Sequence, residues 1–214
     1  MKIICLVENT SSVSTLRAKH GLSLYIETKK HKILFDVGPD NTFVKNAKKL
    51  NIDLSKVDTV IISHGHFDHG GGLKYFLEIN NTAPIYIKKE AFEKHYTNFL
   101  GIKIDIGLHI TPNSEYRYKF VEDQFVIDDE LALFSNVTGR KLFSYMNGPL
   151  EVKKNNKIER DKFDHEQYLL IKQENNKDEY ISIDLDLTPG ICVLNNSMFI
   201  YFACLKFKCY NKLS

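Results

Sequence analysis

Alternating apolar and polar positions with the two-residue period of half-buried strands dominate the first part of the chain. Segments 2–7, 22–27 and 32–36 are each rich in Ile, Leu, Val or Tyr and are separated by polar turns. They predict an antiparallel meander. The apolar run 57–62 predicts a fourth, buried strand.

Helical spacing of apolar residues follows at three places. Phe43 and Ala47 indicate a helix after Gly38-Pro39, and Leu73 and Phe76 indicate another after a run of three glycines. A third helix is predicted over 91–100, whereas 101–123 is polar and predicted to be irregular.

Strands return in the second part of the chain, and the pattern then ends. Segments 125–127, 131–134 and 168–171 are apolar and predict strands. The tail 188–214 shows neither the helical nor the strand period, so no elements are predicted there. We expect one domain over 1–187, followed by a divergent tail that is poorly integrated with it and binds no metal.

Composition and charge exclude several classes of protein. The 214 residues are 43% hydrophobic and 26% charged, which is typical of a globular protein, and no apolar run reaches the length of a membrane span. The net charge of +2 comes from dispersed Lys and Arg, so we expect neither a nucleic-acid nor a membrane partner. Four cysteines without CxxC spacing predict no disulfide framework and a cytoplasmic location.

The strongest chemical signal is the segment His64-Gly65-His66-Phe67-Asp68-His69 directly after the strand 57–62. Three imidazoles and one carboxylate in six residues are the ligand types that zinc-type ions prefer. The flanking glycines let the backbone fold back, so that His64 and His66 face one ion and Asp68 and His69 face another. Surface histidines in a glycine-rich turn are the alternative, and chance rarely produces this spacing.

This segment matches the HxHxDH signature of the metallo-β-lactamase superfamily, which the chain resembles. The resemblance implies an α/β fold, the αββα sandwich, with the first half complete and the second half incomplete in this chain. It also implies that Asp36, in a strand ending Asp-x-Gly, holds the ligand imidazoles in the right tautomer. Asp68 would be catalytic by orienting a metal-bound water.

Finer motifs indicate one branch of that superfamily. They are Glu8-Asn9-Thr10, the segment 20–27, the segment 134–139, and His165-Glu166-Gln167 followed by a strand. Together they resemble the dihydropterin ribofuranosyl-aminobenzene phosphate synthase-like branch over about residues 1–174.

The resemblance ends after about residue 180. Two later histidine-bearing segments of that branch, Gly-Cys-x-His-x-Gly and Gly-Phe-His, are absent, and no histidine follows His165. Either the C-terminal third was lost and the chain is truncated, which we favour, or other residues substitute as ligands. Candidates for substitution are Asp184, Asp186, Cys192, His109 and His165. His165 is expected to be structural, and His95 to be an ordinary half-exposed residue.

Two functions remain open at this stage. The first is a metal-dependent hydrolase that uses a metal-activated water on a small, possibly phosphate-bearing or pterin-like substrate. Its cofactor would be Zn²⁺, with two ions in a complete site, and Mn²⁺ or Fe²⁺ are alternatives. The second is a non-catalytic remnant that binds metal weakly because the late histidines are missing. The sequence does not predict the oligomeric state.

Overall fold

The computed structural model describes residues 1–110, 117–135, 150–174, 178–183, 190–194, 197–201 and 209–211, with side chains described up to residue 172. The strands are β1 Lys2–Val7, β2 Ser23–Glu27, β3 Lys32–Phe35, β4 Thr59–Ile61, β5 Ile85–Ile87, β6 Lys94–Phe99, β7 Ile102–Asp105, β8 Tyr118–Phe120, β9 Gln124–Val126, β10 Leu131–Phe134, β11 Leu150–Lys154, β12 Lys157–Arg160, β13 Tyr168–Glu174, β14 Asp178–Ile183, β15 Gly190–Leu194, β16 Ser197–Tyr201 and β17 Cys209–Asn211. The helices are α1 Thr42–Lys49, α2 Phe67–Gly70 and α3 Leu73–Ile79, with short 3₁₀ helices at Leu54–Lys56 and Lys89–Phe92. Contacts divide the chain into two compact units, Met1–Phe120 with Leu150–His165, and Val121–Pro149 with Glu166–Ser214.

The larger sheet of the first unit has the strand order β1-β2-β3-β4-β5-β8 within the described residues. Strands β1, β2 and β3 pair antiparallel in chain order, so the predicted meander is confirmed. From β3 onward the neighbours are parallel. Strand β4 therefore lies inside the sheet, and its C-terminal end delivers the chain directly to Ser63 and His64.

Helices α1 and α3 bury their apolar faces in the core of this unit. Phe43 and Ala47 of α1 and Leu73 and Phe76 of α3 belong to one cluster of buried side chains and are at most 1% exposed. Each of these positions was predicted from the helical spacing. Full burial of such side chains stabilises the fold by about 1.5–3 kcal/mol each for the larger ones.

A second sheet of the same unit has the order β12-β11-β6-β7, and it corrects two predictions. Residues 91–100 form no helix: a 3₁₀ turn ends at Phe92 and β6 follows. Strand β6 pairs with β11 and, through a tight turn at Leu100 and Gly101 with positive φ, with β7. Pairing with a distant strand overrides the local helical spacing. Strands β7 and β8 likewise occupy a region predicted to be irregular.

The second unit contains the sheet β17-β14-β13-β10-β9 and the separate hairpin β15-β16. Phe134 and Tyr168 stack with ring centroids 5.2 Å apart. The tail was expected to lack elements, yet β15, β16 and β17 lie in it, and β17 pairs with β14. Ile, Val, Phe and Tyr in these segments have high strand propensity, which suffices without a regular period. The domain boundary at residue 187 stays a prediction, since 184–189 lie outside the described residues.

Candidate metal centre

Residues 64–69, hereafter the metal loop, are tied by their backbone to three other segments of the first unit. The N–H of Val37 donates to the carbonyl of His69 at 2.8 Å, and the N–H of Leu22 donates to the carbonyl of Asp68 at 3.2 Å. His66 forms an isolated antiparallel bridge with Gly107. These bonds fix the path of the loop before any ligand is considered.

The side chains of the loop converge. The ring centroid of His64 lies 4.2 Å from that of His69 and 4.7 Å from that of His66. Oδ2 of Asp68 lies 3.4 Å from Nε2 of His69, and Nε2 of His20 approaches the same oxygen at 3.4 Å. His64 and His66 are buried, whereas Asp68 and His69 are half-buried. The four predicted ligands thus face one small region.

One side of the metal loop, called the Asp36 end below, is held by Asp36. This residue is fully buried directly after β3 and has a φ of 55°. Its Oδ1 accepts the N–H of Ser63 at 2.7 Å, and its Oδ2 accepts the hydroxyl of Ser63 at 2.7 Å. The same Oδ2 accepts Nδ1–H of His69 at 2.7 Å. A left-handed backbone is unusual for a residue other than glycine, and Asp is among the few that adopt it readily.

These bonds determine the tautomers of two histidines. Since the hydroxyl proton of Ser63 goes to Asp36, Oγ of Ser63 can only accept from Nδ1–H of His64, at 2.9 Å. In both His64 and His69, Nδ1 therefore carries a proton and Nε2 is the nitrogen that can face an ion. Such oriented imidazoles are typical of metal ligands.

Charges at the Asp36 end are strongly coupled. Burial lowers the pKa of His69, but the carboxylates of Asp36 and Asp68 outweigh it and raise that pKa to about 10. Burial raises the pKa of Asp68, but the hydrogen bond and charge of His69 lower it to about 2. Burial holds the pKa of His64 well below 6.5. An ion that binds His69 must therefore displace a proton, whereas His64 already offers a lone pair.

The other side of the metal loop, called the Asp161 end below, meets a second polar cluster. This cluster is formed by His66, His95, Asp161 and His165. All four are buried, and one nitrogen or oxygen of each lies within 4.8 Å of those of the others. Oδ2 of Asp161 lies 3.0 Å from Nε2 of His165, 3.1 Å from Nδ1 of His95 and 3.5 Å from Nε2 of His66. Within the part of the chain that the structure describes, this is the group of such side chains close enough to hold one ion, and it shares only His66 with the predicted set.

Asp161 is an anion in this cluster. Burial raises the pKa of its carboxyl, but the hydrogen bonds from His165 and His95 and the nearby ring of His66 outweigh burial and hold the pKa well below the usual range. Burial lowers the pKa of His165 to about 4, so that its ring is neutral at pH 7. Burial also lowers the pKa of His66. The Asp161 end therefore carries neutral imidazoles around one carboxylate.

Gly65 is required between the two ligand histidines because the backbone of another segment lies against it. A Cβ on Gly65 would lie 2.4 Å from the carbonyl oxygen of Ala91 and 2.9 Å from Nε2 of His95. Contacts under about 3 Å are repulsive for carbon. The glycine lets the loop pack against the 3₁₀ turn and β6.

The donor atoms of the loop fit a zinc-type ion in kind, and the pair Asp68 and His69 also fits it in spacing. They are imidazole nitrogens and a carboxylate oxygen, and their partners fix which nitrogen is available. Neighbouring ligands of a tetrahedral ion with bonds of about 2.0–2.1 Å lie roughly 3.3 Å apart. The separation of 3.4 Å between Asp68 Oδ2 and His69 Nε2 is close to that value.

Other residues considered as ligands have different outcomes. His109 is exposed and lies outside the clusters described above. Asp184 and Asp186 lie outside the described residues, and the side chain of Cys192 is not among those described. His165 is buried beside His66. His95, expected to be half-exposed, is instead 0% exposed, because β6 places it against Asp161.

Asp161 is not among the predicted site residues, because its sequence context does not mark it. It precedes His165 by four residues, just before β13, in the polar stretch Asp161-Lys162-Phe163-Asp164. Nothing in the pattern of that stretch separates a buried carboxylate from its exposed neighbour Asp164. The contact with His66 depends on long-range packing.

Comparison with known proteins identifies the family. The model of the metallo-beta-lactamase superfamily matches residues 16–153, which is more than half of the chain. The chain belongs to the metallo-β-lactamase superfamily. The predicted fold class is thereby confirmed, and the metal loop lies within the matched residues. Asp161 and His165 lie beyond the matched residues.

Among solved structures, this metallo-β-lactamase superfamily member is similar to Tm1679, a metal-dependent hydrolase of the β-lactamase superfamily. The TM-score is 0.68 at 28% identity, over 86% of this chain and 65% of Tm1679. The uncharacterized protein MJ0448 of Methanocaldococcus jannaschii is 27% identical over 78% of this chain and 64% of its own length. The chain thus spans somewhat less than two thirds of the length of each of these two relatives.

A third relative bears on the branch. The 7,8-dihydropterin-6-methyl-4-(β-D-ribofuranosyl)-aminobenzene-5′-phosphate synthase of the same organism is 38% identical over 100 residues, 44% of this chain and 34% of the synthase. The predicted resemblance to that branch is confirmed. The prediction of a truncated chain stays a prediction.

Proposed function

We propose that this chain is a metal-dependent hydrolase in which His64, His66, Asp68 and His69 bind the metal. The single observation that carries the proposal is the oriented set of rings in the loop. His64 and His69 each donate Nδ1–H to a held oxygen, at 2.9 and 2.7 Å, which leaves both Nε2 atoms for an ion. Asp36 is the residue that holds both, directly for His69 and through Ser63 for His64.

Zn²⁺ is the ion we propose, because the loop offers imidazole nitrogens and a carboxylate in a half-buried site. Two ions are proposed, with Mn²⁺ and Fe²⁺ as alternatives. A bound ion of this kind lowers the pKa of its water and polarises a carbonyl or phosphoryl oxygen. Asp68, held at a low pKa by its neighbours, is the residue that would accept a hydrogen bond from that water and orient it.

The proposed substrate is a small molecule that is phosphate-bearing or pterin-like. Support comes from the synthase of Methanocaldococcus jannaschii, which shares 38% identity over 100 residues.

Among the described residues, no helix has the length and apolar character needed to cross a bilayer. We propose a cytoplasmic location, as expected for four cysteines without paired spacing.

Metal content and turnover test the proposal together. Chelator-treated protein is reloaded with Zn²⁺, dialysed and assayed for bound zinc and for hydrolysis of bis(p-nitrophenyl) phosphate. Near two equivalents with turnover that Asp68→Asn abolishes is the expected result. Less than one equivalent without turnover would contradict it and support the non-catalytic remnant.

A further inference from the structure

Asp161 is 2% exposed and is surrounded by N–H donors. Its Oδ1 accepts the N–H of Phe163 at 2.7 Å, and its Oδ2 accepts from His165 and His95 at 3.0 and 3.1 Å. A buried carboxylate is costly unless its oxygens are paired, so this set of bonds indicates a fixed anion rather than an incidental contact.

His165 connects that anion to the backbone of the metal loop. The N–H of Gly65 donates to Nδ1 of His165 at 2.9 Å, so Nδ1 must hold the lone pair and Nε2 the proton in the neutral ring. Nε2–H then donates to Asp161. Asp161, His165 and Gly65 thus form one directed chain of hydrogen bonds that ends between the two ligand histidines.

The same assignment excludes His165 as a metal ligand in this arrangement. Both of its nitrogens already have partners, and coordination through Nε2 would put a proton on Nδ1, facing the N–H of Gly65. The compact group of four side chains is therefore better explained as a hydrogen-bond network than as a cage for its own ion.

His66 is the point where this network reaches a ligand. Its Nε2 is buried, has no hydrogen-bond partner among the described residues, and faces Oδ2 of Asp161 at 3.5 Å. An anionic carboxylate 3.5 Å from Nε2 favours the proton of the neutral ring on that nitrogen, which leaves Nδ1 to face the ion. Carboxylates placed behind ligand imidazoles in this way fix the ring and increase its basicity.

We propose that Asp161 is a positioning residue for the metal loop, holding the ring of His66 directly and the backbone of Gly65 through His165. The inference rests on the proposed function, because it assigns Asp161 a role toward the ion of that loop. Asp161 touches neither substrate nor ion and acts only through His66 and Gly65.

The test compares Asp161→Asn with Asp164→Asn, which makes the same chemical change three residues away at an exposed side chain. The dissociation constant for Co²⁺ is measured by chelator competition on the full chain. Asp161→Asn is expected to weaken binding about 10–100-fold, and Asp164→Asn to leave it unchanged. Equal affinity for wild type and Asp161→Asn would overturn the inference alone. No Co²⁺ binding by folded wild type would overturn the inference and the proposed function together.

A second pair of variants covers a folding defect in Asp161→Asn, which thermal unfolding of the metal-free protein would show. His165→Asn keeps an oxygen near the position of Nδ1 for the Gly65 N–H but loses the link to Asp161, whereas His165→Ala loses both. We expect Co²⁺ affinity to be highest in wild type, lower in His165→Asn and lowest in His165→Ala. Wild-type affinity in both variants would overturn the inference.

A spectroscopic measurement separates positioning from general structural support. In the Co²⁺-loaded protein each ligand imidazole has a paramagnetically shifted, exchangeable N–H proton. Asp161→Asn should broaden one such signal by faster exchange with water and leave those of His64 and His69 sharp. Loss of one whole equivalent of Co²⁺, with the remaining affinity and signals unchanged, would instead show that the four side chains bind their own ion and would overturn the proposal.

Discussion

The two ends of the metal loop are held by different chemistry. At the Asp36 end, Oδ2 of Asp36 lies 2.7 Å from Nδ1 of His69, and the pKa of that ring is raised to about 10, so the ring is protonated in the metal-free protein. At the other end Asp161 faces His66 at 3.5 Å and binds His165, whose pKa is lowered to about 4. At the Asp36 end an ion must therefore displace a proton from His69, whereas at the Asp161 end the rings of His66 and His165 are neutral.

The difference follows from where each carboxylate comes from. Asp36 ends β3, the direct neighbour of β4, so the parallel pairing of two adjacent strands brings it beneath the loop. Asp161 belongs to the same unit but directly follows β12, a strand of the other sheet. The first contact is built into the order of the sheet, whereas the second depends on the packing of a distant segment.

Asp36→Asn should have the largest effect on stability. Asn tolerates the φ of 55°, but its amide would direct N–H groups at the Ser63 and His69 donors and leave buried donors unpaired. Breaking a buried pair of this kind typically costs about 3–5 kcal/mol. Urea unfolding of the metal-free protein measures this loss in the free energy of unfolding. A loss under about 1 kcal/mol would show that Asp36 does not hold the loop.

The pH dependence of the metal-free protein should differ between the ends. His69, with a folded pKa of about 10 against a usual 6.5, contributes stability that is full below pH 6.5 and lost as the pH rises toward 10. His165, with a folded pKa of about 4, contributes stability that is full above pH 6.5 and lost as the pH falls toward 4. Each effect should amount to a few kcal/mol.

Two variants separate these contributions in unfolding curves between pH 4 and pH 10. Asp36→Asn should flatten the alkaline side of the stability profile, and His165→Asn should flatten the acid side. A profile in which both variants change the same side would contradict the assignment of charge to one end and neutral rings to the other.

Gly65→Ala should disturb the Asp161 end through packing alone. Its Cβ would lie 2.4 Å from the carbonyl oxygen of Ala91, and overpacking of this kind costs about 1–3 kcal/mol. Metal affinity should fall as well. The control is Gly101→Ala, where a Cβ meets nothing within 4 Å and only the φ of 84° is unfavourable. Gly101→Ala should cost about 1 kcal/mol and leave metal affinity intact; equal metal loss in both would contradict this account.

Asp40→Asn should have the smallest effect. Asp40 pairs with Lys19 at 2.6 Å and accepts from Thr42 near the start of α1, but the ion pair is exposed. Solvent screening limits such a pair to about 0.2–1 kcal/mol. Thermal unfolding should show a shift far below that of Asp36→Asn, and a comparable shift would mean that the burial of Asp36 is not what matters.

Prediction from the sequence succeeded where local order determines position. The meander, helices α1 and α3, and the loop after β4 follow from short-range periodicity and a contiguous motif. It failed at β6, where pairing with β11 overrides helical spacing, and so it misplaced His95. The role of Asp161 could not be predicted for the same reason. Its partners are up to 95 residues away in the sequence, and no local pattern indicates such a contact.

Zinc content of two histidine variants tests the central claim most directly. His66→Ala removes a ring of the metal loop, and His109→Ala removes an exposed ring outside it. After reloading and dialysis, His66→Ala should retain clearly less zinc than wild type, while His109→Ala should match wild type, since of these two rings only that of His66 belongs to the metal loop. Equal zinc content in the two variants would contradict the assignment of residues 64–69 as the metal site.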